Sequence, residues 1–392
     1  MMRLFINGLA ASAGGGLTYL RNVVPDFARR GDVKTTVLLN PELCREFGPL
    51  QNISFVESPH SLNTPRRFFY EQTTLPKLIR QSGADGLISA GNFALWNSPV
   101  PQILLSRNSL YTSGDFVQDV RTRGDYALWA DTLVKGWFAR RSIECANITV
   151  APSDAFARDL FRWSGKKILA IHHGFDPAAF TEDATPLSDQ VRDHLDHGQD
   201  ALRLLFVSHY NYYRNFETLF RAIPILKKRL GKAVKLYLTC RLSSADNPGA
   251  YKAEAASSLV GDLRVAHDIV ELGTIPYRSL HHLYRACHIY VTPTYTESFA
   301  HPLVEAMSSG LPIVASDLPV HREICQDAAT YFPRFSPEDL AERVLQVQRS
   351  PQLAESLSHH GLRRSQDFRW DTHVERLVNL ARQLVDAKLK SA

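Results

Sequence analysis

Glu297 and Glu305 are the residues around which a reaction centre can be built. They lie within Val291 to Glu323, which reads VTPTYTESFAHPLVEAMSSGLPIVASDLPVHRE. The pattern predicts a strand ending at Thr292, a loop carrying Glu297 to His301, a helix from Pro302 to about Ser309, and a strand from Pro312 to Ala315. Pro302 suits a first helical turn and Gly310 suits the stop. In an open α/β sheet such a loop sits at the carboxyl end of a strand, where ligands bind. The free N–H groups and dipole of the following helix favour an anion such as a diphosphate there. Two carboxylates would repel that anion unless each accepts hydrogen bonds from vicinal hydroxyls on opposite sides of it. A nucleotide sugar has that layout of ribose diol, diphosphate and hexose. The plainer alternative is a solvated helix glutamate and an unrelated loop carboxylate.

A diphosphate needs a positive partner. Arg214 follows a strand, Leu202 to Val207, within Ser208-His209-Tyr210-Asn211-Tyr212-Tyr213-Arg214-Asn215-Phe216 and just before a helix with apolar Leu219, Ala222 and Leu226. A planar guanidinium at a strand-to-helix turn can pair two phosphate oxygens, although an exposed arginine at a helix start is the common finding. Near the N-terminus, Gly14-Gly15-Gly16 falls between a strand and a helix, where missing side chains allow close backbone approach to a ligand or simply a tight turn.

These residues need scaffolding, and the chain supplies it as alternating short apolar runs and helix-length segments, the mark of βαβ units. Strands are expected at 3–6, 36–39, 53–56, 86–89, 102–105, 148–151 and 168–171, then at 202–207, 235–239, 268–272, 288–292 and 312–315. Pro25 should kink or end the first helix. A polar, acidic stretch, roughly 181–200, separates the two series. The expected domains are 1–180, joined by a C-terminal helix at about 371–392 that crosses back, and 200–370.

Composition narrows the function classes. The 392 residues carry 45 Lys+Arg against 40 Asp+Glu, a net charge of +5, with 44% hydrophobic residues, an ordinary soluble globular balance. No apolar run approaches the 18 or more residues of a spanning helix. The charge is too diffuse for nucleic-acid binding, and no zinc spacing or ribonucleoprotein motif is present. Cys44, Cys145, Cys240, Cys287 and Cys325 are odd in number and form no CxxC pair, which suits reduced thiols in a cytoplasmic protein. The first 16 residues mimic a secretory signal only faintly and read as a strand and glycine loop. An aromatic, basic helix opening at Thr64-Pro65-Arg66-Arg67-Phe68-Phe69-Tyr70, and a stripe of Tyr126, Trp129, Leu133 and Trp137 beside Arg140 and Arg141, are either core or a surface able to rest on anionic lipid.

Taken together, the stretch ESFAHPLVEAMSSGLPIVAS with its two glutamates, the glycine loop, His172-His173-Gly174-Phe175-Asp176, Arg214-Asn215, Arg322-Glu323, Asp327-Ala328-Ala329 and Phe368-Arg369-Trp370-Asp371 resemble a retaining glycosyltransferase of family 4, the glycosyl transferases group 1. The resemblance spans nearly the whole chain. It implies the GT-B fold, an α/β architecture of two Rossmann-like domains facing a central cleft. It also implies that Glu297 holds the transferred sugar, Glu305 the ribose diol and Arg214 the diphosphate. The backbone of Phe299, Ala300 and His301 would take the distal phosphate, Thr274 and Ile275 would lie along the base, and Gly15 and Gly16 would approach the diphosphate or acceptor. His209 stands where the family has a second basic residue, Asn108 lies in the region where many members place a sugar-holding His, and Ala300 replaces a common Gly.

The implied activity is transfer, with retention, from a nucleotide diphosphate sugar to a glycan or lipid-linked glycan, as in polysaccharide or lipopolysaccharide synthesis. It needs no metal and no further cofactor, and it suits a cytoplasmic enzyme in peripheral contact with the inner membrane. The alternatives are a catalytically weak homologue that binds nucleotide sugar or glycan within an assembly, favoured by His209 and the missing His, and a nucleotide-sugar epimerase of the same architecture.

Overall fold

A computed structural model describes residues 1–10, 14–59, 64–182, 185–245 and 251–391. Among the described residues, thirteen strands form two wholly parallel sheets. The first contains β1 (Met2–Asn7), β2 (Val33–Leu39), β3 (Ile53–Glu57), β4 (Gly86–Ser89), β5 (Gln102–Leu105), β6 (Ile148–Ala151) and β7 (Ile168–Ala170), in the order β3-β2-β1-β4-β5-β6-β7. The second contains β8 (Leu202–Phe206), β9 (Val234–Leu238), β10 (Ile269–Glu271), β11 (Ile289–Thr292), β12 (Ile313–Ser316) and β13 (Ala329–Phe332), in the order β10-β9-β8-β11-β12-β13. Each sheet therefore reverses direction once, between β1 and β4 and again between β8 and β11. Those reversals are where an open α/β sheet leaves a ligand crevice beyond its strand ends.

The runs are apolar on both faces because helices cover both faces of a parallel sheet. On β1, Leu4 and Ile6 join Val33, Val37, Ile88 and Ile103 in one cluster, which also takes in Val374, Leu377 and Val378 of the C-terminal helix Trp370–Ser391. The intervening Phe5 packs the other way, with Leu38, Leu75, Ile79 and Leu87. Full burial of a side chain such as Leu377 is worth roughly 1.5–3 kcal/mol, so this helix is held to the first sheet by its apolar stripe.

The chain divides into two compact units. One comprises 1–112, 130–174 and 369–392, and the other 113–129 and 175–368. The segment 113–129, placed by sequence in the first domain, groups with the second unit and is held there by named contacts. Arg123 pairs with Glu217 at 2.8 Å, Asp119 accepts from the Tyr295 hydroxyl at 2.8 Å, and Arg334 pairs with Asp115 at 2.5 Å.

Three local expectations differ from the structure. The first helix runs from Gly14 to Ala28 straight through Pro25, so the proline neither ends it nor marks its boundary. Gly15 and Gly16 accordingly sit in its first turn rather than in a loop, and 11–13 of the expected loop lie outside the described residues. The polar connector contains a helix, Asp189–Asp196, whose N-cap Ser188 accepts from the Val191 N–H. All five cysteines are free, and four of them are buried. Among the described residues, no helix is long and apolar enough to cross a membrane.

Candidate active site

The second unit gathers its charged residues around the β8/β11 reversal. After β8 the chain passes His209 and makes a single 3-10 turn, Tyr212–Arg214. Asn215 follows in the left-handed region at φ 54° and begins the helix Phe216–Leu230. That strained position is fixed from three sides. The Asn215 amide donates to the carbonyls of Pro293 and Arg334 at 3.0 and 2.6 Å, and its oxygen accepts from the Thr218 hydroxyl at 2.9 Å. Asn tolerates this conformation better than other non-glycine residues, so the Arg214-Asn215 pair sets where the guanidinium stands.

After β11, Glu297 arrives from the opposite side of the reversal. Its Oε2 accepts from Arg214 Nη1 at 2.6 Å and its Oε1 from the Ser298 N–H at 3.0 Å. Arg214 also stacks over the Tyr213 ring, 5.0 Å from its centroid, while its buried Nε has no hydrogen-bond partner among the described residues. Burial pushes the Glu297 carboxyl up, but Arg214, the Ser298 N–H and the nearby His321 outweigh it and hold the group below its ordinary range. Burial likewise pushes Arg214 down, and Glu297 more than restores its charge. The pair is therefore ionised.

The loop then reaches Ala300, at φ 68° and ψ 65°, and the helix His301–Ser308 with Pro302 in its first turn. The left-handed backbone at Ala300 explains why a glycine would suit this position. The helix starts at His301, one residue earlier than the sequence suggests, and Gly310 ends it at φ 68°. Phe299 is buried, its ring 4.9 Å from that of His301. Glu305, in the second turn, is 7% exposed and accepts from the Tyr284 hydroxyl at 2.8 Å. Burial pushes its pKa up to about 7, with only that bond opposing. Glu297 follows β11, and Glu305 lies in the helix that begins four residues after Glu297. Neither is a solvated surface carboxylate.

His209 is exposed at its surface, and partial desolvation of its ring together with the Arg214 charge keeps its pKa below the ordinary value. Thr274 is exposed and Ile275 half-buried, directly after Gly273 at φ 72°. Gly15, Gly16 and Asn108 belong to the first unit. A side chain at Gly15 would meet nothing within 4 Å. Asn108 caps the turn Ser109–Tyr111 by accepting from the Leu110 N–H at 3.0 Å, so its side chain already holds local structure.

His321 was not singled out by sequence. It is 1% exposed, with Nδ1 2.9 Å from the Ser316 carbonyl and Nε2 buried without a hydrogen-bond partner among the described residues. The carbonyl fixes the proton on Nδ1 and leaves Nε2 as a bare acceptor. Burial drives its pKa down to about 4, so it is neutral beside Glu297. The only sequence signal was its place just after β12, at a strand end.

The two singly reversing parallel sheets define the class of the fold, GT-B. Residues 188–364, all inside the second unit, match the family model described as Glycosyl transferases group 1. The chain is similar to the O-antigen chain mannosyltransferase B of Escherichia coli, 29% identical over 108 residues that cover 28% of each chain. It spans less than two thirds of the length of the curated relatives it matches. Among solved structures it resembles a sucrose-phosphate synthase from Thermosynechococcus elongatus (TM-score 0.74, 18% identity, 99% of this chain and 100% of that one). It also resembles Anabaena HepE in complex with UDP (TM-score 0.70, 15% identity, 98% and 100%).

Proposed function

We propose that this chain is a glycosyltransferase of the retaining, metal-independent type that uses a nucleotide diphosphate sugar. The observation that carries the reading is the half-buried Arg214–Glu297 ion pair at the β8/β11 reversal, with Glu305 one helical turn into the following helix. In this reading Arg214 turns its remaining N–H groups to the diphosphate, and the start of the helix at Ala300 and His301 takes the distal phosphate. Glu297 keeps lone pairs free for sugar hydroxyls and Glu305 receives the ribose diol. Thr274 and Ile275 flank the base, and His209 adds polar contact. Gly15, Gly16 and Asn108 serve from the first unit. Charge on the departing diphosphate is stabilised by Arg214 and backbone N–H groups, so the rate comes from positioning and electrostatics with the acceptor attacking from the leaving-group side. The acceptor is a glycan or lipid-linked glycan, a reading supported by the O-antigen relative.

A surface of the first unit suits a lipid-linked acceptor. Phe68, Trp96, Trp137 and Phe138 interlock with ring centroids 5.0 to 6.2 Å apart. Yet Trp137 is 60% and neighbouring Phe69 70% exposed, so these helices do not spend their aromatics on core. Arg66 and Arg140 flank them. Such a face rests on an anionic bilayer.

The deciding experiment is a transfer assay across UDP-, GDP- and ADP-sugars with a chelator present, with the anomer of the product determined. Glu297→Gln, which keeps the shape of the site, should lose at least about a hundredfold in turnover; because it leaves Arg214 without its carboxylate, its thermal midpoint should fall, and turnover is compared at a temperature where both proteins are folded. Inversion, dependence on added metal, or near wild-type turnover in the variant would each remove part of the reading. Flotation with anionic vesicles, lost in a Phe69→Ser/Trp137→Ser variant, tests the membrane face.

A further inference from the structure

The first unit holds a cation of its own, Arg107, apart from the Arg214–Glu297 pair of the second. Arg107 stands two residues beyond β5, and its own N–H and that of Asn108 donate to Asn92 Oδ1 at 2.8 and 3.1 Å. Its guanidinium is clamped between groups that carry no negative charge. Nη2 donates to the Ala90 carbonyl, and the guanidinium carbon sits 4.6 Å from the centroid of the Tyr19 ring. The Tyr19 hydroxyl is itself bonded to His373 at 2.9 Å and burial holds it neutral. Nη1 is buried and has no hydrogen-bond partner among the described residues.

Two other enclosed guanidiniums are paired, Arg123 with Asp119 and Glu217, and Arg214 with Glu297. Among the described residues, Arg107 receives no carboxylate. A desolvated charge left unpaired costs several kcal/mol, so its retention points to a counter-ion that arrives from outside. The position is right for one. Ala90, which holds Nη2, follows β4 directly and donates its N–H to Asn7 at the end of β1 at 3.0 Å, so the free Nη1 lies at the β1/β4 reversal of the first sheet. A second cation stands in the same unit. Arg67, in the helix Thr64–Thr73, has a buried Nε without a hydrogen-bond partner among the described residues.

We propose that Arg107 is the anion-binding residue of an acceptor subsite in the first unit, taking a phosphoryl group carried by the acceptor. A compact tetrahedral oxyanion suits the unused Nη1 of this guanidinium. The inference rests on the reading of the chain as a glycosyltransferase only for the word acceptor, because anion binding can be measured with no transfer occurring.

The test uses the full chain. In an Arg214→Gln/Glu297→Gln background, which removes the second unit's ion pair as a unit, inorganic phosphate is titrated against chloride at constant ionic strength and the thermal midpoint is followed. Phosphate should raise the midpoint, Arg107→Gln should weaken the response by about tenfold or more in phosphate concentration, and Arg107→Lys should keep part of it. Without phosphate, Arg107→Gln should melt no lower than its parent, since an uncompensated buried charge has been removed. An unchanged phosphate response in Arg107→Gln would overturn the site. To assign the source, the affinity of whichever of UDP, GDP or ADP binds is compared between wild type and Arg107→Gln. A change within about twofold fits the acceptor, and a tenfold loss would place the anion on the donor and overturn the assignment.

Discussion

Glu305 is the residue whose titration the surroundings change most usefully. Its carboxyl is enclosed, with the Tyr284 hydroxyl as its bonded partner and a pKa pushed up to about 7 from an ordinary 4.5. A raised carboxyl pKa means that the folded chain binds the proton more tightly than the unfolded chain. The associated stability is therefore complete below about pH 4.5 and is lost as pH rises through about 7, amounting to roughly 3 kcal/mol. Glu305→Gln keeps an acceptor for Tyr284 without the charge. Denaturation of the two proteins across pH should show the variant gaining on wild type between pH 5 and 8, and parallel curves would contradict the assignment. If the ribose diol donates to this carboxylate, nucleotide binding at pH 7 should also release a proton, visible as a buffer-dependent binding enthalpy. The Arg214–Glu297 pair behaves differently. Removing either partner alone, with Arg214→Ala or Glu297→Gln, leaves an enclosed charge unpaired at up to about 3–5 kcal/mol, so a loss of activity in a single variant mixes folding with chemistry, and the double variant Arg214→Gln/Glu297→Gln, which removes the pair as a unit, supplies the stability reference.

At the scale of elements, much was legible and the misses have physical causes. The parallel strands were visible because both faces are buried, so β4, β5 and β6 read as short continuous apolar runs with the observed bounds. β13 was not, because it is an edge strand whose middle residues Thr330 and Tyr331 are only half-buried. Pro25 misled because it falls inside a helix whose apolar face, Leu20, Val24 and Phe27, is fully committed to the core, and tertiary packing outweighs one lost bond. Glu297, Arg214 and the helix start were legible as a motif. His321 was not, since its relevance depends on a carbonyl and a neighbouring acid that only the fold brings together. Glycines divide in the same way. A Cβ at Gly174 would fall on the backbone and indole of Trp370, whereas one at Gly15 would meet nothing. Gly174→Ala should therefore cost about 3 kcal/mol or more by forcing the start of the C-terminal helix off its seat. Gly15→Ala should raise stability by up to about 1 kcal/mol through helix propensity and yet lower transfer if a ligand approaches that turn. Chemical denaturation with parallel assays separates the two effects.

At the scale of the whole molecule, the division into units does not follow the order of the chain. The match to the family model begins at residue 188, yet the second unit includes 113–129, an excursion with no compositional boundary around it. Its attachments are specific. Arg123 lies between Asp119 and Glu217 and covers the Tyr212 ring at 4.5 Å, and the Tyr212 hydroxyl bonds Asp125 at 3.2 Å. The Phe116 ring meets that of Tyr213, beside Arg214. A fragment of residues 175–368 would thus lose the partners of Glu217, Tyr295 and Arg334 and uncover the aromatics that flank the arginine. Such a fragment should melt well below the intact chain and bind nucleotide diphosphate weakly or not at all. Joining 113–129 to it through a flexible linker should restore much of both. Full stability and affinity in the bare fragment would show that the excursion is only a tether, and that the position of Arg214 is fixed by Asn215 and the β8/β11 reversal alone.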